Sequence, residues 1–387
     1  MAHEIYSRNW DRMSFEEQRE YRDRKLSYFV RTQLYPYSPF YRKMFNDAAL
    51  APEDIRGVDD LRKLPFTRKS DIAPSADEHD RYERFVLKPL TRAAEERMPR
   101  LQFLKTRFDS LFKGDEFVLS ARLFEYAPVH VQFTAGQTGR PTPVMFTRSD
   151  VERMAEAGRR ILELAGFGVE IERKDAVILN AMPFASHLWF QMIARGMERA
   201  GILSLYTGGE SSAIAARRIS DTARSVKVTG IIGMPGNVFE VLRSAIEEEI
   251  DLSSLRLVIL GGERISKDIK EDMHEFLRKT GARDAFVVGA FGFTEGRKGY
   301  SECASGADAG YHIYPDMDYL EIIDPETEAP VAEGEDGELV YTCLDGRGTC
   351  VLRFRTGDYV KGGIVYEPCP SCGRTVPRLG SDISRFE

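Results

Sequence analysis

The sequence predicts a layered α/β fold whose last third turns β-rich. Two observations carry this. From about residue 130 to 300, short apolar runs alternate with segments of helical periodicity, the pattern of a largely parallel sheet covered by helices. After residue 305 the helical pattern stops. Tyr319–Ile323, Gly337–Tyr341 and Val351–Arg355 then read as strands separated by acidic turns. At 387 residues the chain is too long for one simple core and suits two or three subdomains. The expected divisions are a helical N-terminal region over 1–130, an α/β region over 131–305 and a β-rich subdomain over 306–387.

Taken in order, residues 10 to about 70 are helical and charged, and Ser14 and Glu17 have the spacing of a capping box. Pro36, Pro39, Pro52 and Pro65 then punctuate short helical pieces, and residues 75–130 carry no readable pattern. Val129–Phe133 reads as a strand. Ser149 and Glu152 suggest a second capping box, followed by Val151, Met154, Ile161, Leu162 and Ala165 at helical spacing. Ala176–Leu179 is a buried strand. A helix over 187–200, a strand over 202–206, a helix over 211–224, a strand over 228–232 and a helix over 237–249 follow. Leu257–Leu260 is a strand ending in Gly261-Gly262-Glu263, and a helix over 266–279 leads to the strand Ala285–Val288. Ligands of parallel sheets bind beyond the carboxyl ends of the strands. Residues 261–263 and 289–295 are therefore expected to line one cleft.

Composition narrows the function classes. Hydrophobic residues make up 42% and charged residues 30%, with a net charge of -7, which argues against a nucleic-acid-binding surface. No apolar run reaches membrane-spanning length, and the first residues contain no apolar signal core. The expectation is a cytoplasmic protein that binds neither nucleic acid nor membrane. Its five cysteines then read as thiols or metal ligands rather than disulfides.

Three short stretches carry the chemistry. Phe133–Pro141 is rich in glycine and threonine. Gly136 and Gly139 let the backbone approach phosphates, and the hydroxyls of Thr134 and Thr138 can donate to phosphate oxygens. It is not a Walker loop, because Gly139 is followed by Arg140-Pro141 instead of Lys and Ser or Thr. Alone it could be a surface turn. Phe291–Glu295 and Arg355–Asp358 follow it in order. The ordered set resembles the adenylate-forming superfamily of acyl-CoA synthetases, adenylation domains and luciferases. Pro39–Arg42, Pro52–Ile55 and Leu64–Asp71 are similar to the N-terminal region of its phenylacetate–CoA ligase-like branch. Against that branch, residues 75–130 are long and read as an insertion.

The resemblance implies ATP-dependent activation of an aryl or acyl carboxylate as its adenylate, followed by thioester formation with CoA. It implies phosphate-facing catalytic roles for Thr134, Arg140 and Glu295, with Glu295 on Mg2+. It places ATP or AMP against Thr134, Gly136, Thr138, Gly139, Gly262, Glu263, Phe291, Gly292, Thr294 and Glu295. Asp358 would hold the ribose and Arg385 the ribose or phosphate. Phe291 reads equally as a core aromatic. Ala135, Gln137 and Arg140 depart from the usual family residues; Arg140 keeps the charge of the usual lysine. His187, Trp189, Met234 and Gly289 fall at positions of the acyl pocket, although His187 also suits a helix cap or a core histidine. The family continues past the ribose aspartate into a small domain with a catalytic lysine. The chain's last residues resemble the hinge before that domain, so a truncated form, poorly active alone, is expected. Two other readings stay open: an adenylyltransferase acting on a non-carboxylate acceptor, and a nucleotide-binding regulatory protein. A homodimer is compatible with either.

Cys369 and Cys372 form a CxxC pair, and Cys303 and His312 lie upstream. Three thiolates and an imidazole suit a closed structural Zn2+ site. A redox pair or a plain turn is the alternative for the CxxC alone. Similar Cys and His positions in phenylacetate–CoA ligase-like proteins favour zinc. Cys343 and Cys350 lie in strand-like stretches and read as core residues.

Overall fold

The structure, a computed structural model, describes residues 6–91, 94, 96–134, 140–168, 171–207, 213–304 and 309–386. The chain divides into two compact units. One is drawn from residues 1–153, 314–323 and 338–357, the other from 154–313, 324–337 and 358–387.

In the first unit the helix Phe15–Phe29 starts at the expected capping box. The Ser14 hydroxyl accepts from the Glu17 amide at 3.3 Å, and the Glu17 carboxylate accepts from the Ser14 amide at 2.7 Å. Leu26, Phe29, Tyr41 and Phe45 are fully buried on this helical layer. The Tyr41 hydroxyl accepts from the Leu352 amide at 2.7 Å, and Thr67 donates through its hydroxyl to the Leu352 carbonyl at 2.7 Å. Residues 100–126, part of the stretch with no readable pattern, form a helical hairpin, Arg100–Lys113 and Asp115–Tyr126. Gly114 joins them with φ +88°, a conformation that favours glycine.

Strands β1 (His130–Phe133) and β2 (Pro143–Phe146) pair antiparallel. The next helix starts at Arg148, one residue before the expected Ser149, because Asp150 supplies the cap instead. Its carboxylate accepts from the Thr147 amide and hydroxyl at 3.0 and 2.9 Å. It also accepts from the amides of Arg347 and Gly348 at 3.3 and 2.8 Å, and from Arg153 at 3.2 Å. A Cβ at Gly348 would stand 2.1 Å from the Met145 carbonyl oxygen, so the two segments meet only through glycine. Arg153 reaches on to Asp345 at 2.6 Å. Burial opposes the Asp345 charge, but Arg153 and Arg347 hold its pKa well below the usual carboxylate range.

The second unit holds one nine-stranded sheet. Its strands are β3 (Val177–Asn180), β4 (Leu203–Tyr206), β5 (Gly230–Gly233), β6 (Leu257–Leu260), β7 (Phe286–Phe293), β8 (Lys298–Ser301), β9 (Tyr311–His312), and, later in the chain, β13 (Ile364–Val365) and β14 (Arg378–Leu379). Their order across the sheet is β4-β3-β5-β6-β7-β8-β9-β14-β13. The half from β4 to β7 is parallel, as the alternation predicts, and the half from β7 to β13 is antiparallel. Every residue of β5 and β6 is buried, which is why they read as unbroken apolar runs. Leu179, Ile231, Val258, Leu242, Met273 and Leu277 belong to the core packed against this sheet. Strand β7 runs five residues beyond the expected Val288 because its second half pairs with β8, from Ala290 opposite Ser301 to Phe293 opposite Lys298.

The strands after residue 306 therefore go to two places. β9, β13 and β14 extend the large sheet, whereas β10 (Asp318–Ile323) and β11 (Gly337–Cys343) pair antiparallel in the first unit. β12 (Phe354–Lys361) begins later than the expected Val351, after Arg353 with φ +45°. Its second half pairs with β15 (Asp382–Arg385). Among the described residues no helix is long and apolar enough to cross a membrane.

Asp150→Ala removes one of the two carboxylates on the buried Arg153 and leaves the Thr147, Arg347 and Gly348 amides without this acceptor. It is expected to lower unfolding free energy by about 3 kcal/mol, read by urea denaturation. An unchanged midpoint would show that the 145–150 and 345–349 segments hold without it.

Candidate functional site

The carboxyl ends of the parallel strands are shaped by side chains that turn the chain sharply. At the end of β3 the Asn180 side-chain carbonyl accepts from the Met182 amide at 3.1 Å, and its amide donates to the Phe190 carbonyl at 3.3 Å. This draws the start of the helix Leu188–Ala200 back over the sheet. His187 occupies the N-cap position in extended backbone, yet its side chain makes no capping bond, so the cap reading does not hold. It is half-buried, its Nδ1 finds no partner among the described residues, and burial holds its pKa below the ordinary imidazole value.

Trp189 is buried two positions on, and its indole lies across the end of β6. A Cβ at Gly261 would stand 3.2 Å from the Trp189 ring, and one at Gly262 would stand 3.2 Å from Met234. Gly262 also has φ +87°. Trp189, Met234, Gly261 and Gly262 thus form one apolar wall beyond the strand ends. Gly289 lies on β7 opposite Leu260 and faces elsewhere: a Cβ there would stand 3.2 Å from the Glu302 carboxylate and the Tyr311 hydroxyl. Glu263 is exposed just past the wall.

Glu302 and Lys270 escaped the sequence reading. The buried Glu302 carboxylate takes both contacts from Lys270 Nζ, at 2.7 and 2.8 Å, and accepts from the Gly289 amide at 2.6 Å. The one signal in the sequence is that Lys270 shares a helix face with the buried Met273 and Leu277.

Residues 289–293 lie within β7 instead of following it. Phe291 packs between Phe293 and Tyr311, with centroids 6.0 and 5.9 Å away, so it is partly a packing residue. A Cβ at Gly292 would meet the Lys298 carbonyl oxygen at 2.8 Å, so the β7–β8 pair requires this glycine. Thr294 and Glu295 form the 3-10 turn that follows, with the Glu295 side chain buried. Asp358 and Arg385 sit opposite each other on β12 and β15 and form an ion pair at 3.1 Å. The two residues assigned to ribose and phosphate are thus each other's partner.

In the first unit, Thr134 and Arg140 flank the glycine- and threonine-rich stretch; Gly136, Thr138 and Gly139 lie outside the described residues. The Thr134 amide donates to the Thr142 carbonyl at 3.1 Å, and its hydroxyl accepts from the Thr142 amide at 3.0 Å. Arg140 is exposed, with Nη1 3.2 Å from His79 Nδ1.

The cysteines and histidine come together in the second unit. Cys303 follows β8, His312 lies in β9, and Cys369 and Cys372 flank the turn between β13 and β14. All four ligand atoms lie within 4.8 Å of one another, with Cys303 and Cys369 sulfurs 3.9 Å apart and Cys372 sulfur 3.3 Å from His312 Nε2. A tetrahedral Zn2+ sets sulfur–sulfur and sulfur–nitrogen separations near 3.8 and 3.6 Å, from bonds of about 2.3 and 2.0–2.1 Å. The donor set fits that ion. The hydrogen bond between them lowers the Cys372 thiol and pushes Cys303 above its ordinary value. Burial disfavours His312 as a cation, but its bonds to Cys369 and Cys372 raise its pKa. Cys343 and Cys350 are buried in the first unit, as core residues.

Residues 80–348, well over half the chain, match the AMP-binding enzyme family. The chain belongs to that family. Among its relatives, it is 26% identical over 385 residues to a phenylacetate-coenzyme A ligase of Thermus thermophilus, covering 99% of this chain and 74% of the relative. It is 26% identical over 348 residues to the phenylacetate-coenzyme A ligase of Escherichia coli K12, covering 89% of this chain and 66% of that one. A solved structure of 2-hydroxyisobutyryl-CoA ligase in complex with 2-HIB-AMP and CoA superposes with a TM-score of 0.75 at 21% identity, over 100% of this chain and 72% of that one. The fold is that of the adenylate-forming acyl-CoA ligases.

The wall around Trp189 is testable by itself. In a Trp10→Phe background Trp189 is the sole tryptophan. Gly261→Val is expected to displace its ring, shift its emission and cost about 1–3 kcal/mol of stability, the scale of overpacking. Unchanged emission would mean that the indole does not rest on Gly261.

Proposed function

We propose that this AMP-binding enzyme activates a small carboxylic acid with ATP and passes the acyl group to CoA. In the first step a carboxylate oxygen bonds to the α-phosphorus as the bond to pyrophosphate breaks. In the second the CoA sulfur bonds to the acyl carbon and AMP leaves. The observation that carries the reading is the ordered set of Thr134–Arg140, Phe291–Glu295 and Arg355–Asp358 within a chain of this family.

Negative charge develops on the phosphates, and positioned donors stabilise it. The stretch from Thr134 to Arg140 supplies hydroxyl, amide and guanidinium donors. The buried carboxylate of Glu295 would hold Mg2+, an ion usually bound by one or two carboxylates beside phosphate oxygens. When bound, it neutralises phosphate charge. Asp358 accepts from the ribose hydroxyls, with Arg385 fixing its orientation. The apolar wall of Trp189, Met234 and Gly262 favours an aryl or short acyl group, and His187, two residues before Trp189, offers a ring nitrogen to the carboxylate. Asp358→Ala is expected to weaken AMP binding about 5- to 150-fold, or about 1–3 kcal/mol, by isothermal titration. Unchanged affinity removes Asp358 from the site. Pyrophosphate exchange dependent on an added aryl or short aliphatic acid supports the activity, and exchange that ignores every carboxylic acid contradicts it.

Cys303, His312, Cys369 and Cys372 are assigned one structural zinc. Four protein ligands leave no open position, so the ion serves the fold and not the reaction. Elemental analysis of protein purified without chelator should find about one zinc per chain. Cys372→Ser should lose the metal and melt at lower temperature. Metal-free protein of equal stability would end this assignment.

A further inference from the structure

Among the described residues, nothing covers the apolar face of the helical hairpin Arg100–Tyr126. No residue of the helix Arg100–Lys113 is buried. Leu101, Leu104, Phe108 and Leu111 are nevertheless apolar, and they are 84%, 62%, 62% and 81% exposed. Their spacing of three, four and three residues is one seam of a helix–helix contact. A free 14-residue helix is marginal in water, and contiguous exposed apolar surface of this kind marks an interaction site. The hairpin is tied down at its far end instead, where Tyr126 is buried and Arg347 reaches Glu125 at 2.6 Å.

We propose that this face is a self-association surface, on which the hairpins of two copies of this chain pack about a two-fold axis into a four-helix arrangement. Three observations choose a second copy as the occupant. The three-four-three spacing reads the same in both directions. Two such helices can therefore meet antiparallel, Leu101 against Leu111 and Leu104 against Phe108, as an interface of identical patches requires. The area is sufficient. Including Phe112, Phe117 and Phe124, with side chains of about 150–250 Å², the hairpin offers roughly 1,000 Å² of apolar surface, against about 800 Å² per partner in a standard interface. The charges are self-complementary as well. The first helix carries Arg100, Lys105 and Arg107, while Asp115 and Glu116 open the second. The antiparallel arrangement brings Arg100 at the open end of one hairpin beside Asp115 and Glu116 at the turn of the other, where Lys113 is already paired with Asp109 of its own helix. An anionic bilayer would attract the first group and repel the second.

Sedimentation velocity on the full chain, over about 1–100 µM, decides the matter. The expected result is a dimer that Leu104→Glu combined with Phe108→Glu converts to monomer, with the circular dichroism spectrum unchanged because both positions are exposed in the single chain. The register has its own test: Leu101→Cys mixed with Leu111→Cys should cross-link on oxidation, and Leu101→Cys alone should not. A wild-type monomer throughout the range, or a dimer that the glutamate variants leave intact, overturns the proposal. So does a monomer that instead co-sediments with phosphatidylglycerol–phosphatidylcholine vesicles.

Discussion

Three consecutive residues, Ser301, Glu302 and Cys303, hold the second unit together, because the large sheet changes direction beside them. Ser301 pairs with Ala290 of β7 and with His312 of β9. Glu302 buries its carboxylate against Lys270 and the Gly289 amide. Cys303 supplies a thiol to the four-ligand cluster. A buried ion pair adds little net stability over apolar packing, but losing one partner strands a charge and costs several kcal/mol. Its use here is placement: it fixes β7 at the residue where the parallel half ends and the antiparallel half begins.

That placement explains the glycines. β7 lies so close to β8 at Gly292 that no side chain fits there, and at Gly289 a Cβ would press on Glu302 and Tyr311 at 3.2 Å. The neighbouring β6 ends in Gly261 and Gly262, over which Trp189 and Met234 close. The short antiparallel strands are the weak part of the sheet: β9, β13 and β14 have two residues each, and β8 and β9 share one paired position. Backbone pairing alone secures such strands poorly. The Cys and His side chains come from this edge, so a metal bound there would fasten the strands that most need it.

The sequence was legible where the pattern was local. Leu257–Leu260 reads as a buried strand because all its residues face apolar neighbours, and the Ser14–Glu17 box spans three positions. The cysteine and histidine set was legible because its chemistry is unusual, although its members come from separate strands. What failed was non-local. Two-residue strands have no period to detect, so β9, β13 and β14 looked like parts of a separate β subdomain. Asp150 gave no sign of its role because its Gly348 partner is 198 positions away. The buried Lys270 gave no sign of its role for the same reason, its acceptor being 32 positions on. The nucleotide motifs were visible as a set, but not that Asp358 and Arg385 are cross-strand partners.

The central claim is that one chain holds both halves of an acyl-adenylate, the ribose near Asp358 and the acyl group against Trp189. A non-hydrolysable phenylacetyl sulfamoyl-adenosine, titrated against AMP with Trp189 fluorescence as a second readout, tests it most directly. The account predicts that the joined molecule binds at least about 100-fold tighter than AMP, as expected of an intermediate analogue, and that it changes the Trp189 emission where AMP does not. Equal affinities with a silent Trp189 would contradict it.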